Sequence, residues 1–203
     1  MGRPSLCDPH NIKLRNIIDM GLTFSAMIRL FKKETKGKLH ERIMEDAKKI
    51  FDAKSIEDFN SIHSIFCKWG VENVLLAERK KNEKVIKKEG PASYGQIAKT
   101  FDVVMKVVIY YSRLPDFETS EKILPWLNPA VDTQMMKMLK KHYKKQNPLL
   151  IKNISPWPIT VEEVCEVKYQ QIQDLVRKFI NDEHNGDIIP VQFDDIYWNQ
   201  LNR

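Results

Sequence analysis

Two residues of the sequence, Lys99 and Asp132, have side chains whose pairing could break a covalent bond. Lys99 lies in the segment Gln96-Ile97-Ala98-Lys99-Thr100-Phe101, on the helical side shared by Val103, Val107 and Tyr110. Desolvation among such neighbours disfavours the charged form of an amine, and a neutral amine is a nucleophile. Asp132 falls in the first turn of a helix that Asn128-Pro129 is expected to open, where the helix dipole favours a carboxylate. An amine beside an ionised carboxylate can displace a base from a deoxyribose. The amine takes C1′ and the carboxylate stabilises the cationic sugar. The competing arrangement is ordinary ion pairing. Asp102 stands at i+3 from Lys99 and i−4 from Lys106, so it can pair with both, and Asp132 can be a helix-start charge and no more.

A second set of residues suits a polyanion. Lys137, Lys140, Lys141, Lys144 and Lys145 follow one another with no acid between them. Lysines so placed neutralise phosphates, and the interleaved His142 and Tyr143 suit a surface that touches backbone and bases. The alternative is a solvated helix face. Another basic cluster, Arg79 to Lys88, holds Arg79, Lys80, Lys81, Lys84, Lys87 and Lys88 against the single acid Glu83.

Other chemistries lack their residues. There is no glycine-rich phosphate loop and no H-E-x-x-H. His10, His40, His63, His142 and His184 stand singly, and read as surface or core residues. Asp182, Glu183, Asp187, Asp194 and Asp195 read as a solvated acidic surface rather than a cation site. Cys7, Cys67 and Cys165 are odd in number and never spaced as C-x-x-C, which argues against disulfides and structural zinc. Cys67 and Cys165 are expected as small buried hydrophobes and Cys7 as exposed. No metal and no cofactor is expected.

These residues must be positioned by helices. Asp8-Pro9 reads as an N-cap with proline at the first helical position, and Gly21 is expected to divide the following stretch in two. Leu39 to Ala53 carries the stripe Ile43, Ala47, Ile50 and Phe51. Ser55-x-x-Asp58 reads as a capping box, followed by Phe59, Ile62, Ile65, Phe66 and Trp69, with Gly70 as end or hinge. Val71 to Lys88 is expected to continue as a basic helix, broken by Gly90-Pro91. Ser93-x-x-Gln96 opens the most apolar helix, to about Arg113. Ile97, Phe101, Val104, Met105 and Val108 lie on one face and Val103, Val107 and Tyr110 on the other, which marks a central helix. Thr160-x-x-Glu163 is expected to cap a long helix to about Glu183 that ends near Gly186. Ile188-Ile189-Pro190 is expected to be extended, and a Phe193–Leu201 helix to dock Ile196, Tyr197 and Trp198. The fold class is therefore all-α, with about eight helices around the 93–113 helix, in a single domain 1–203 with 1–90 and 91–203 as candidate lobes.

Composition narrows the class further. The 203 residues include 33 Lys and Arg against 27 Asp and Glu, a formal net charge of +6. The excess is N-terminal, since residues 1–100 hold 20 Lys and Arg against 13 acids. Only 7 glycines are present, too few for a turn-rich all-β protein. No apolar run approaches the roughly 20 residues that cross a bilayer. No apolar leader opens the chain, and position 6 is Leu6 rather than the Ser or Thr of a myristoylation signal. The expectation is an intracellular, cytoplasmic protein with no membrane partner.

The segment from Gln96 through Lys99 to Lys106, followed by Leu127-Asn128-Pro129-Ala130-Val131-Asp132, resembles the Lys…P-x-V-D pattern of the helix-hairpin-helix DNA glycosylases. The long interval between Lys and Asp is most similar to the archaeal 8-oxoguanine glycosylase branch. The resemblance covers residues 93–139, and the family's L-P-G-x-G-x-K hairpin is absent. It implies an all-helical fold, duplex DNA as partner, a flipped base, a lysine Schiff base at Lys99 and a catalytic carboxylate at Asp132. The resulting expectation is a DNA-binding base-excision enzyme of the lysine glycosylase/lyase type. The alternative is a non-enzymatic helical protein that binds nucleic acid or another protein, of a phage- or defence-associated kind. Gly2-Arg3-Pro4-Ser5 is similar to the starts of some phage and recombinase helix-turn-helix segments.

Overall fold

The computed structural model describes residues 8–201, with side chains to 197. The expectations for Gly2 to Cys7 and for the Trp198 side chain lie outside the described residues. Helix of all kinds takes up 71% of these residues, which makes the fold all-α. The helices are α1 (Pro9–Phe24), α2 (Lys33–Phe51), α3 (Ile56–Asn73), α4 (Tyr94–Met105), α5 (Phe117–Ile123), α6 (Thr133–Gln146), α7 (Pro148–Lys152), α8 (Glu166–His184) and α9 (Phe193–Leu201). Among the described residues no helix is long and apolar enough to cross a membrane.

The central helix is α4, as its two-sided pattern requires. It opens with the full reciprocal capping box of Ser93 and Gln96. Ile97, Phe101, Val104 and Val108 are wholly buried and Met105 nearly so. Helices α1, α3 and α8 pack around it. Gly21, expected to divide a helix, and Gly70, expected to end or hinge one, both sit inside continuous helices as points of close approach to α4. Gly21 of α1 is so near that a Cβ would lie 3.1 Å from the Val104 Cα, and a Cβ on Gly70 of α3 would overlap Ile97. Beyond Met105 the helix widens into a π-helical segment, Lys106–Tyr111. Such segments recur at functional sites.

Several boundaries differ from the sequence reading. α2 begins at Lys33, before Leu39. Asn128-Pro129 does not start α6, which begins at Thr133 with Asp132 itself as N-cap. Thr160 and Glu163 close a short 3-10 turn over Val161–Glu163, and α8 starts afterwards at Glu166. α8 is closed after His184 by Asn185 and Gly186, both with positive φ, as a helix C-terminus favours. Ile65 is 56% exposed, off the buried stripe of α3, and Cys165 is exposed while Cys67 is buried.

The largest departure is the basic helix expected over Val71–Lys88. α3 stops at Asn73, and the chain forms two short antiparallel pairs. β1 (Leu75–Leu76) pairs with β4 (Gly90–Pro91), and β2 (Arg79–Lys81) with β3 (Lys84–Lys87). β-branched Val85-Ile86 favours strand. Asn82 and Glu83, at φ 50° and 63°, form the two-residue loop with both φ positive that suits a hairpin.

Candidate active site

Lys99 stands on α4 and Asp132 at the head of α6, and tertiary packing brings them together. Lys99 Nζ lies 3.5 Å from Asp132 Oδ2, with side chains only 16% and 17% exposed. Asp132 uses its other oxygen as a cap: Met135 N donates to Oδ1 at 2.8 Å. One oxygen is thus tied to the positive end of α6 and the other faces the amine. That division fixes the carboxylate's orientation.

The loop before Asp132 is pinned from two sides. From α8, Gln173 Nε2 donates to the Pro129 carbonyl at 2.9 Å and Arg177 Nη2 to Asn128 Oδ1 at 3.0 Å. From α9, Asp194 Oδ2 accepts from Ala130 N at 3.2 Å. The Asn128 side chain, expected to cap a helix, instead holds this loop to α8.

Asp194 and Asp195, read from the sequence as solvated acids, belong to this site. Lys106 Nζ is 2.7 Å from Asp195 Oδ1 and 3.7 Å from Asp194 Oδ2, and Tyr111 donates to Asp195 Oδ1 at 2.8 Å. Burial pushes the Asp194 carboxyl up to about 7, with Asp132 and Asp102 adding repulsion against the pull of Lys106 and the Ala130 N–H. Asp194 therefore exchanges its proton near neutrality, beside the main-chain loop that carries Asp132.

Next to these groups lies a largely apolar cleft of about 560 Å³ lined by Met20, Phe24, Val103, Val107 and Tyr111, with Lys106 and Asp194 as its charged groups. Val103 is one helical turn from Lys99, so amine and cleft share a side of α4. Phe24 and Tyr111 are 65% and 57% exposed, aromatic surface of the kind on which a planar ring stacks.

Asp102 does not pair with Lys99 or Lys106. It points to the other side of α4, into the core, where Tyr169 donates to its Oδ2 at 2.8 Å and His63 Nε2 lies 3.0 Å from its Oδ1. The Cys67 sulfur is 3.7 Å from His63 Nδ1. Burial holds the Asp102 carboxyl above the usual range despite His63. Burial works against charge on His63, yet Cys67 and the Asp102 carboxylate raise its pKa. His63 falls on the apolar stripe between Phe59 and Cys67, and that position is the sequence signal for a buried histidine in need of partners.

Lys137, Lys140, Lys141, Lys144 and Lys145 lie exposed on α6, opposite buried Met135, Met136, Leu139 and Tyr143. Among the described residues none of the five is in an ion pair. His142 turns towards Phe179 and Glu183 of α8, and Tyr143 is buried, so neither is part of an outward surface. Among the described residues no group of three His, Cys, Asp or Glu side chains is placed to hold a metal ion. No protein-family model, characterised protein or solved structure matches the chain.

Proposed function

We propose that the protein is a DNA base-excision enzyme of the lysine glycosylase/lyase type, similar in its Lys99 and Asp132 segments to the helix-hairpin-helix glycosylases. The observation that carries this reading is the approach of Lys99 Nζ to within 3.5 Å of Asp132 Oδ2. A structural ion pair makes the same contact. What favours chemistry is the company: a carboxylate already held by its own helix cap, and a neighbouring cleft with stacking surface and two charged groups, Lys106 and Asp194.

In the proposed reaction the Lys99 amine forms a bond to C1′ of an extruded nucleotide as the bond from C1′ to the base breaks. The base leaves with the bonding electron pair and with the proton that Nζ sheds. Asp132 stabilises positive charge on the sugar. Ring opening, with O4′ leaving C1′ and taking a proton from water, gives the protonated Schiff base at C1′, and loss of a proton from C2′ expels the 3′ phosphate. The five exposed lysines of α6 suit the phosphate backbone of the same duplex.

The test is incubation with duplex containing an abasic or oxidised site, followed by borohydride. Reduction of the Schiff base fixes a covalent adduct in the parent protein and none in Lys99→Gln. If the parent forms no adduct on any such duplex, the lyase reading fails and a non-enzymatic nucleic-acid-binding protein takes its place.

A further inference from the structure

The β2–β3 hairpin belongs neither to the core nor to the site above. Its foot is fixed. Phe31 bridges to Leu76, Lys32 N donates to the Leu75 carbonyl at 2.7 Å, and Ala77 N donates to the Leu30 carbonyl at 2.8 Å. Two ion pairs, Lys32 with Glu89 and Lys87 with Glu162, hold the returning strand. Beyond them the arm is solvated. Every residue from Glu78 to Ile86 is exposed, including Val85 at 46% and Ile86 at 59%.

The arm's own chemistry works against it. Pairing sets Arg79 opposite Lys87 and Lys81 opposite Lys84, and like charges directly opposite destabilise a sheet pair. Glu83 occupies the left-handed region at φ 63°, where glycine is favoured. Arg79, Lys81, Lys84 and Lys88 have no ion-pair partner among the described residues. A polyanion laid along the arm removes the repulsion and uses the cations.

We infer that the Arg79–Lys88 hairpin is a second DNA-binding element, a basic β-ribbon that enters the groove of duplex DNA with Arg79, Lys81, Lys84 and Lys88 on phosphates and Ile86 against the groove surface. Shape selects the duplex. A two-stranded ribbon fits the B-form major groove, about 12 Å wide, whereas side chains cannot read the deep, narrow one of A-form RNA. The inference shares with the proposed function only the choice of DNA as partner and needs none of its chemistry.

The test measures binding of the full-length protein to an undamaged DNA duplex across a salt series. The triple variant Lys81→Gln, Lys84→Gln, Lys88→Gln is expected to bind about tenfold more weakly at low salt. Its salt slope should fall by about 0.9 for each phosphate no longer neutralised. Ile86→Ser should weaken binding with the slope unchanged. All the substituted side chains are solvated, so melting curves should match the parent's. Parental affinity and slope in the triple variant would overturn the inference. So would equal affinity for duplex RNA, or tighter binding to anionic lipid vesicles than to DNA. Borohydride trapping separates the two readings: a parent that binds through the hairpin yet traps nothing loses the enzyme and keeps the ribbon. A triple variant that binds normally and traps normally does the reverse.

Discussion

Asp132 Oδ1 caps α6 through Met135 N while Asp132 Oδ2 faces Lys99, so one carboxylate both starts a helix and meets the amine. The two duties respond differently to substitution. Asn caps a helix about as well as Asp, whereas Ala loses about 1 kcal/mol at such a position. Asp132→Asn should therefore melt like the parent and release base about 10²–10³-fold more slowly, the scale seen when a charge-stabilising group is removed. Asp132→Ala should lose both stability and rate. Single-turnover base release alongside thermal melts checks this; an Asp132→Asn variant of parental rate removes Asp132 from the chemistry.

The raised Asp194 carboxyl gives a pH dependence of defined sign. Its value moves from the ordinary 3.8 to about 7 on folding, so the folded state holds the proton more tightly. Its contribution is fully present below pH 3.8 and is lost as pH rises through about 7. Between pH 5 and 8 the melting temperature of the parent should fall relative to that of Asp194→Asn, which keeps a neutral group throughout. For a chain of this size each kcal/mol corresponds to about 2–4 °C. Parallel melting-temperature profiles would refute the assignment.

The His63–Asp102 pair is buried on both sides, at 1% and 2% side-chain exposure. Removing one partner of such a pair costs about 3–5 kcal/mol. His63→Leu should be destabilised on that scale in denaturant melts, even though Tyr169 still donates to Asp102. Because folding raises the His63 value above the ordinary 6.5, its contribution is complete below that pH and fades as pH rises through the folded value. The penalty for His63→Leu should accordingly shrink at alkaline pH.

The α6 lysines make a test independent of the hairpin. Replacing Lys140, Lys141 and Lys144 by Gln should reduce the salt slope of DNA binding by about 0.9 for each phosphate left without its cation, without altering the melting temperature. An unchanged slope assigns these lysines to solvent.

Val104 of α4 is fully buried, with the Cα that Gly21 approaches most closely. Val104→Asp places a charge there with no partner, a burial that proteins do not tolerate. Loss of cooperative unfolding in that variant is the expected outcome.

Features that are local or periodic were legible in the sequence. The apolar residues on both sides of α4 announced a central helix, and the Ser93–Gln96 box marked its start because both are written within one or two turns of chain. Lys99 and Asp132 could be singled out by residue type and setting. The partners of the ionisable groups on α4 were settled by tertiary packing. Asp102, three residues from Lys99 and four from Lys106, had the spacing of an ion pair with either, yet it turns into the core to meet His63 and Tyr169 from two other helices. Lys106 is left to Asp194 and Asp195, which follow it at the far end of the chain. The hairpin escaped for a related reason. Six cations between Arg79 and Lys88 give no helical or strand period, since nearly every side chain there faces water. The conformation was set by Val85-Ile86, the Asn82-Glu83 turn, and the fixed foot where Leu76 meets Phe31. Burial decides which of several locally allowed pairings survives, because only in the low-dielectric interior does an unpaired charge cost enough to select among them.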